Sequence, residues 1–302
     1  MKILLTGKNG QVGWELAHAL EPLGEVIAFD RGGLDLAVPD QIVSVVRSVR
    51  PEVLINAAAY TAVDRAESEP DAAHAINAVA VAILAEEARR AQALLIHYST
   101  DYIFDGMKDT PYVEEDRPNP LNAYGRSKLV GEQAIHDIGG AHLILRTSWV
   151  YSARGNNFLL TIRRLLQEKK EEVRVVSDQI GAPTSAGALA EATVNLLRRH
   201  GSSALGERRG IYHATAGGST SWHGFAMEIA RLEQLGFPTR IVPIASSDYP
   251  TPAQRPKNSR LSNEKLLTGL GIVLPKWEIC LEKCHATLRA RGGREHGASH
   301  AQ

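Results

Sequence analysis

The chain has 302 residues, of which 44% are hydrophobic and 23% charged, a composition typical of a globular protein with one large domain or two smaller domains around a shared core. Its 34 basic and 34 acidic side chains give a formal net charge of zero. A neutral chain has no general attraction to nucleic acid or to an anionic membrane, so an anionic ligand has to be held by a local site. We therefore expect no nucleic-acid partner and no membrane partner.

The amino-terminal residues and the cysteines indicate in which cellular compartment the protein is found. Met1 leads directly into the apolar run at residues 3–5, without the longer apolar segment of a secretory signal or a membrane span. Cys280 and Cys284 are four residues apart and could hold a metal with further ligands, but such a pair is more often buried in a reducing compartment. We expect a cytoplasmic protein.

The first half of the chain alternates short apolar runs with amphipathic stretches, the pattern of an α/β fold with a Rossmann-type, doubly wound parallel sheet. The runs at 53–55 and 94–96 are continuous, as expected for parallel strands buried on both faces. The predicted strands cover residues 2–6, 25–29, 53–56, 94–99 and 142–147. The predicted helices between them cover residues 12–20, 39–49, 72–92 and 123–138.

Beyond residue 147 the pattern is looser. A helix at 158–169, a strand at 173–176 and a helix at 186–199 are compatible with the same sheet layer. Loops are predicted to dominate after residue 201, where four prolines precede a last helix near 277–289. Three parts are predicted. Residues 1–200 form a mainly dinucleotide-binding domain, with substrate-lid segments interleaved from about residue 150. Residues 201–290 form a smaller, interleaved C-terminal substrate-binding domain, and residues 291–302 form a disordered tail.

A glycine pattern, G-x-x-G-x-x-G, lies between the first predicted strand and the first predicted helix. Glycines allow a tight turn and let the backbone approach a pyrophosphate at the helix N-terminus. Such a pattern alone could be an ordinary strand–helix turn, but its strand–turn–helix context favours dinucleotide binding. The cofactor-binding residues predicted in this turn are Gly7, Gly10, Gln11, Val12 and Gly13.

The end of the second predicted strand bears on cofactor choice. Asp30 is placed to accept hydrogen bonds from the adenosine ribose, although it could be a solvated loop carboxylate. Arg31 could instead accept a 2′-phosphate, so NADPH and NADH both remain open. Asp35 and Leu36 are weaker candidates for residues that flank the adenine.

Tyr124 and Lys128 form a Y-x-x-x-K pair on a predicted helix, where residues four apart share one face. Carbonyl reduction needs a proton donor near the forming alkoxide, and a lysine cation near a phenol is expected to lower the phenol pKa. Alone, this spacing occurs by chance on many surface helices. Together with the upstream glycine turn, it predicts a catalytic pair.

Hydroxyl side chains follow the fourth predicted strand, at the edge where α/β sheets bind ligands. Thr100 is the preferred residue to bond the substrate oxygen, with Ser99 as the alternative. Both could serve only as turn residues that satisfy the local backbone.

Taken together, these residues resemble the extended short-chain dehydrogenase/reductases and, more narrowly, the dTDP-4-dehydrorhamnose reductase family. The glycine turn and Y-x-x-x-K are common to the superfamily and do not specify a substrate. The resemblance covers residues 1 to about 289 and also rests on Asn56–Asp64, Ser99–Phe104 and Arg146–Tyr151. Its narrower segments are Asn156–Phe158 within Gly155–Phe158, Asp178–Thr184 and Arg255–Ser259.

The resemblance implies a fold, a reaction and a set of residue roles. The reaction would be hydride transfer from NADPH or NADH to the 4-keto group of a dTDP-sugar substrate, giving dTDP-L-rhamnose for surface polysaccharide. Thr100, Tyr124 and Lys128 would be catalytic. The cofactor groove would be lined by Ala57, Ala58, Ala59, Tyr60 and Thr61, and the substrate would be bound by Thr100, Asp101, Trp149, Asn157 and Arg255.

The resemblance also bears on Tyr60, on Mg²⁺ and on a homodimer, and here its implications are less specific. Tyr60 stands where the family commonly has histidine, and we expect little change because a phenol can also donate. Some members use Mg²⁺ at a carboxylate-lined dimer contact. Glu191 could contribute to such a site, but it is equally a surface charge, so Mg²⁺ and a homodimer remain open.

Two other functions fit parts of the pattern. A nucleotide-sugar epimerase or dehydratase shares the fold and the catalytic triad, but it returns the hydride to the same substrate molecule. A non-catalytic, dinucleotide-binding regulatory subunit is disfavoured because both Tyr124 and Lys128 are present.

Overall fold

A six-stranded parallel sheet forms the centre of the structure, a computed structural model that describes residues 1–234 and 239–298. Its strands are β1 (Lys2–Thr6), β2 (Glu25–Phe29), β3 (Val53–Asn56), β4 (Leu94–Thr100), β5 (His142–Thr147) and β10 (Gly210–His213). Their order is β10-β5-β4-β3-β1-β2, and every neighbouring pair is parallel. The predicted α/β, Rossmann-type fold class is confirmed.

Helices cover both faces of this sheet. Alternate side chains of β1 point to opposite faces, so Ile3 and Leu5 pack in one apolar layer and Leu4 in the other, all fully buried. The layer of Ile3 and Leu5 contains residues from α1 (Gln11–Ala19) and α8 (Ala186–Glu207). The opposite layer contains residues from α2 (Pro39–Val49), α5 (Ala80–Arg90) and α6 (Ala123–Ile138).

The helix predicted at 72–92 is present as a continuous helical segment at 70–90, but it contains a wide helical turn. After the short α3 (Val63–Ala66), α4 (Pro70–His74) is followed by a π-type turn at Ala75–Val79 before α5 begins. Asn77 lies in this turn, where its side-chain amide bonds both the N–H and the C=O of Tyr60 and donates to Ser127. This long-range contact accounts for the extra residue in the turn.

Two-stranded sheets lie in the second half of the chain. Strand β6 (Val150–Tyr151) pairs with β9 (Thr184–Ser185), β7 (Glu172–Val176) with β12 (Arg240–Ile244), and β8 (Ile180–Gly181) with β11 (Thr220–Ser221). The predicted strand at 173–176 is therefore present, but it pairs outside the central sheet. The remaining helices are α7 (Phe158–Gln167), α9 (Trp222–Glu233), α10 (Glu264–Leu270) and α11 (Trp277–Ala298).

The region beyond residue 201 contains more regular structure than predicted. Strand β10 returns to the central sheet beside β5, and α9 is capped by Ser221, whose Oγ accepts from Gly224 N at 2.9 Å. The division into domains at residue 200 stays a prediction.

Two helices extend beyond their predicted ends. Helix α8 continues to Glu207 through a break at Gly201, whose φ of 70° suits a glycine. Helix α11 continues to Ala298, into the segment that is predicted to be disordered from residue 291. Within this segment, Arg291 donates to Ala153 O at 3.2 Å and lies over the Trp14 ring. The rest of the predicted tail, 299–302, lies outside the described residues. No helix in the described parts of the chain is long and apolar enough to cross a membrane.

Candidate active site

The glycine turn is built by close backbone packing between β1, α1 and the segment after β3. Gly7 has a φ of +75°, and a Cβ there would lie 2.8 Å from Ala58 N. A Cβ on Gly13 would lie 2.1 Å from Gly7 O. Gly10 caps α1 without a side-chain hydrogen bond, which leaves the first N–H groups of the helix for an anion. The turn therefore fits a dinucleotide pyrophosphate, next to the predicted Gln11 and Val12.

Asp30 lies at the end of β2, beside the glycine turn. Its carboxylate accepts from Gly33 N and Asn9 Nδ2, both at 3.1 Å, and lies 3.4 Å from Lys8 Nζ. The hydrogen bond from Gly33, followed by the charge of Lys8, lowers the Asp30 pKa despite the opposing desolvation. Lys8 was not singled out in the sequence because it occupies a variable position within the glycine pattern.

The neighbouring candidates differ in exposure. The Arg31 side chain is 84% exposed and lies 3.3 Å from Asp35 Oδ2, so it can reach a ligand in front of β2. Leu36 is buried against α2 in the apolar layer that contains Ile42. The roles of Asp35 and Leu36 toward adenine stay predictions.

The segment Ala57–Thr61 passes the glycine turn and runs toward α4. Ala58 N donates to Asn56 Oδ1 at 3.2 Å, and Tyr60 is held by the Asn77 amide. The Tyr60 hydroxyl donates to Glu69 Oε2 at 2.6 Å, and this bond is the main reason that the Tyr60 pKa is raised. Its phenol is therefore already engaged with a carboxylate.

Thr100 and Tyr124 come together at the carboxyl end of β4. Tyr124 lies in the first turn of α6, which Asn122 caps by accepting from Gly125 N at 2.8 Å. Thr100 Oγ1 accepts from Tyr102 N at 3.1 Å and donates to Asp101 Oδ1 at 3.2 Å, and it lies close enough to Tyr124 to affect the pKa of the phenol. Both catalytic candidates are thus positioned by local capping bonds.

The Tyr124 pKa is raised to about 12, because burial outweighs the hydrogen bond from Thr100 and the Asp101 charge adds to it. Burial is the largest cause of this shift, and the predicted lowering of the Tyr124 pKa by the Lys128 charge stays a prediction. Ser99, the alternative to Thr100, is buried and its hydroxyl has no hydrogen-bond partner within the described chain.

Lys128 lies one turn beyond Tyr124 and is 2% exposed. Its Nζ donates to Tyr98 O at 2.7 Å and lies 3.1 Å from His97 Nε2. Burial lowers its pKa to about 8, although the Glu132 carboxylate opposes the shift. His97 was not predicted as a site residue, because a histidine inside an apolar run is usually a core residue.

Asp101, next to Thr100, is almost fully buried, and its Oδ2 has no hydrogen-bond partner among the described residues. Burial raises its pKa to about 6, while a hydrogen bond from Ser259 acts in the opposite direction. Ser259 brings the narrow Arg255–Ser259 segment against the end of β4. An unpartnered carboxylate oxygen here suits a substrate hydroxyl.

Trp149 lies in a strained backbone conformation, with a φ of 50°, and its ring stacks on Trp222. A Cβ on Gly181 would lie 2.5 Å from the Trp149 indole, so this glycine makes room for the ring. Trp222 Nε1 donates to Gln179 Oε1 at 3.2 Å. Trp222 was not predicted, because no recognised motif contains it.

Asn157 and Arg255 are mainly engaged with protein groups. Asn157 caps α7, and its Nδ2 donates to Gln11 Oε1 at 2.8 Å, which ties α7 to the glycine turn. Arg255 binds Asp64 with two hydrogen bonds, of 3.2 and 2.9 Å, and also bonds Tyr102. Their predicted contacts with substrate stay predictions.

A magnesium site is not supported by the side chains present. Among residues 1–234 and 239–298, no group of three or more His, Cys, Asp or Glu side chains could hold a metal ion. Glu191 is exposed on α8. No role for Mg²⁺ follows from these residues.

Comparisons with known proteins agree with this geometry. Residues 1–290 match the family model described as the RmlD substrate binding domain. A dTDP-4-dehydrorhamnose reductase of Burkholderia thailandensis is 49% identical over 296 residues, covering 94% of this chain and 98% of the relative. The enzyme of that name from Escherichia coli K12 is 45% identical over 293 residues, covering 94% and 96% of the two chains.

Solved structures give the same result. The crystal structure of a dTDP-4-dehydrorhamnose reductase from Bacillus anthracis, in complex with NADP, is 36% identical and superposes with a TM-score of 0.87. The match covers 95% of this chain and all of that one. The fold is therefore shared with that relative.

Proposed function

We propose, from the premise that this chain belongs to the RmlD substrate binding domain family, that it is an oxidoreductase that reduces dTDP-4-dehydro-6-deoxy-L-mannose to dTDP-L-rhamnose. The observation that carries the proposal is the meeting of three features at one edge of the sheet. The glycine turn follows β1, Thr100 ends β4, and the Tyr124 phenol lies beside Thr100. Ligands of doubly wound sheets bind at this edge.

NADPH or NADH, when bound, supplies the hydride that reduces the carbonyl carbon. Tyr124 gives its proton to the carbonyl oxygen as negative charge develops there. A pKa of about 12 keeps the phenol protonated at neutral pH, which is the form that the acid of a reductase requires. Thr100 fixes the same oxygen by a hydrogen bond, and Lys128 orients the nicotinamide ribose.

Substrate recognition combines groups from both halves of the chain. The unpartnered oxygen of Asp101 accepts from a sugar hydroxyl, and Trp149 packs on the sugar face. Arg255 binds the pyrophosphate, after exchanging one of its two bonds with Asp64 for a bond to phosphate. Asn157 acts less directly, because its amide holds Gln11 and the carbonyls of Ser152 and Arg154.

We also propose a cytoplasmic location for the protein. Cys280 and Cys284 are buried free thiols, which suits the reducing cytoplasm. We also propose a homodimer, which light scattering tests, and a two-domain division at residue 200, which limited proteolysis tests.

Hydride stoichiometry tests the reaction. With enzymatically prepared dTDP-4-keto-L-rhamnose, we expect one reduced cofactor to be oxidised for each dTDP-L-rhamnose formed. An isomerised or dehydrated sugar without net oxidation of the cofactor would assign the chain to the epimerases or dehydratases. Dinucleotide binding without turnover would instead support a regulatory subunit.

A further inference from the structure

The loop between β6 and α7, residues 152–157, lies against the glycine turn. Asn157 Oδ1 accepts from Leu160 N at 3.1 Å, and because a backbone N–H can only donate, the other end of this amide faces Gln11. Asn157 Nδ2 donates to Gln11 Oε1 at 2.8 Å, and Ser152 Oγ donates to the same oxygen at 3.0 Å. The loop therefore sets the position of the Gln11 side chain, which belongs to the first residue of α1.

The loop is tightly folded between these two contacts. Asn157 Nδ2 is also 3.0 Å from the carbonyl oxygens of Ser152 and Arg154. Gly155 turns the chain with a φ of +74°, and a Cβ there would lie 3.5 Å from Gln11 Cγ. Because so many bonds within the loop meet at one amide, a shift of the loop backbone is passed on to Gln11.

Arg291, near the end of α11, contacts the loop and α1 at the same time. Its Nη1 donates to Ala153 O, in the first part of the loop, at 3.2 Å. Its guanidinium carbon lies 5.3 Å from the centre of the Trp14 ring, and that of Arg154 lies 4.3 Å from the same ring. Trp14 is about one turn along α1 from Gln11, and an indole face attracts cations. Arg291 thus joins the loop to α1, although it is distant in sequence from both.

A carboxylate on α1 faces the two guanidinium groups. Glu15, next to Trp14, is partly buried, and this burial raises its pKa. The positive charges of Arg291, His18 and Arg154 act in the opposite direction, with Arg291 the largest of the three. The attraction between Glu15 and Arg291 therefore adds to the contacts that hold the end of α11 on α1.

We propose that Arg291 is a positioning residue for the dinucleotide, a role that rests on the proposed binding of this cofactor at the glycine turn. By holding the loop 152–157 against α1, Arg291 keeps Gln11 and the first N–H groups of the helix where they bind the pyrophosphate. It acts through Ala153 and Trp14 and does not itself contact the cofactor. The end of α11 is thereby coupled to cofactor affinity, and hydride transfer in the assembled complex is left unchanged.

Calorimetric titration of the full chain with NADPH, without sugar nucleotide, measures this coupling. We expect the Kd to rise about 5-fold or more in Arg291→Ala, while kcat with saturating NADPH stays within about 2-fold of wild type. Arg289→Ala is the matched control, because it removes an exposed positive charge two residues away on the same helix.

Equal Kd values for these two variants would overturn the proposal. A lower unfolding temperature in Arg291→Ala with wild-type affinity would also overturn it, because Arg291 would then serve stability alone. Since the Kd is measured without turnover, failure of the proposed reduction leaves this test intact. A wild type that binds neither NADPH nor NADH would contradict the proposed function itself, and the role of Arg291 with it.

Hydrogen exchange of the wild type gives an independent test that needs no variant. By thermodynamic linkage, a contact that strengthens NADPH binding is strengthened by bound NADPH to the same extent. We expect saturating NADPH to slow the exchange of the backbone amides at 286–291 by about 5-fold or more relative to those of α10. Equal effects of NADPH on the two segments would contradict the coupling.

Discussion

The indole of Trp149 stacks on that of Trp222, with ring centroids 3.6 Å apart and planes within 8° of parallel. The pair joins the loop after β5 to the start of α9, and Gly181 provides the space for the Trp149 ring. If Trp149 packs on the sugar, this arrangement sets the shape of the substrate site from residues far apart in sequence.

We predict that Gly181→Ala weakens substrate binding. The added Cβ would lie 2.5 Å from the indole, so Trp149 has to shift from its present position against Trp222. The KM for the sugar nucleotide should rise about 10-fold or more, with a smaller change in kcat, in steady-state assays. Gly217→Ala is the control, because its Cβ would have its nearest neighbour at 3.7 Å. Equal KM values for the two variants would remove Trp149 from the substrate site.

Arg146 and Glu132 form an ion pair in which both side chains are only 2% exposed. Glu132→Ala leaves a buried guanidinium without its partner, and we expect a loss of about 3–5 kcal/mol in the free energy of unfolding. Urea denaturation measures the change. Glu168→Ala, which breaks the exposed pair with Arg164, should cost less than about 1 kcal/mol. A similarly small loss in Glu132→Ala contradicts this prediction.

The raised pKa of Asp101 makes stability depend on pH. Between the usual carboxyl pKa and about 6, the folded state binds more protons at Asp101 than the unfolded state, so stability falls as pH rises. Relative to Asp101→Asn, the wild type should lose about 2 kcal/mol from roughly pH 4 to pH 7. Urea denaturation of both proteins at the two pH values measures this, with exposed Asp248→Asn as the control for net charge. A pH-independent difference between wild type and Asp101→Asn would show that folding does not raise the Asp101 pKa.

We predict that Arg31, in the loop after β2, distinguishes NADPH from NADH. Arg31 is 84% exposed and lies 3.3 Å from Asp35 Oδ2, so it can turn to a 2′-phosphate. For Arg31→Ala, kcat/KM with NADPH should fall about 10-fold and that with NADH should change little. Exposed Arg174→Ala is the control. An equal loss with both cofactors would show that Arg31 does not distinguish them.

Much of the fold was predictable, because local patterns determine it. The strands β1, β2, β3 and β5 have their predicted bounds, since continuous apolar runs flanked by turns are characteristic of buried parallel strands. The strand β10 was missed, because four residues reading Gly-Ile-Tyr-His carry no comparable signal.

Much less of the candidate site could be predicted. The sequence pattern identified Thr100 and Tyr124, which the structure brings together. It did not reveal that Lys128 contacts His97, because that contact joins residues on different elements and depends on burial. The rise in the Tyr124 pKa was missed for the same reason, since desolvation is a property of the folded protein.

The most direct test of the proposed reaction compares the wild type with Tyr124→Phe in single-turnover reduction of dTDP-4-keto-L-rhamnose, with the reduced cofactor prebound. Tyr249→Phe, at an exposed position, is the control for the loss of a hydroxyl. We predict that the rate of cofactor oxidation falls by about 10²-fold or more in Tyr124→Phe, with cofactor affinity largely retained. An unchanged rate in that variant would contradict the assignment of Tyr124 as the proton donor.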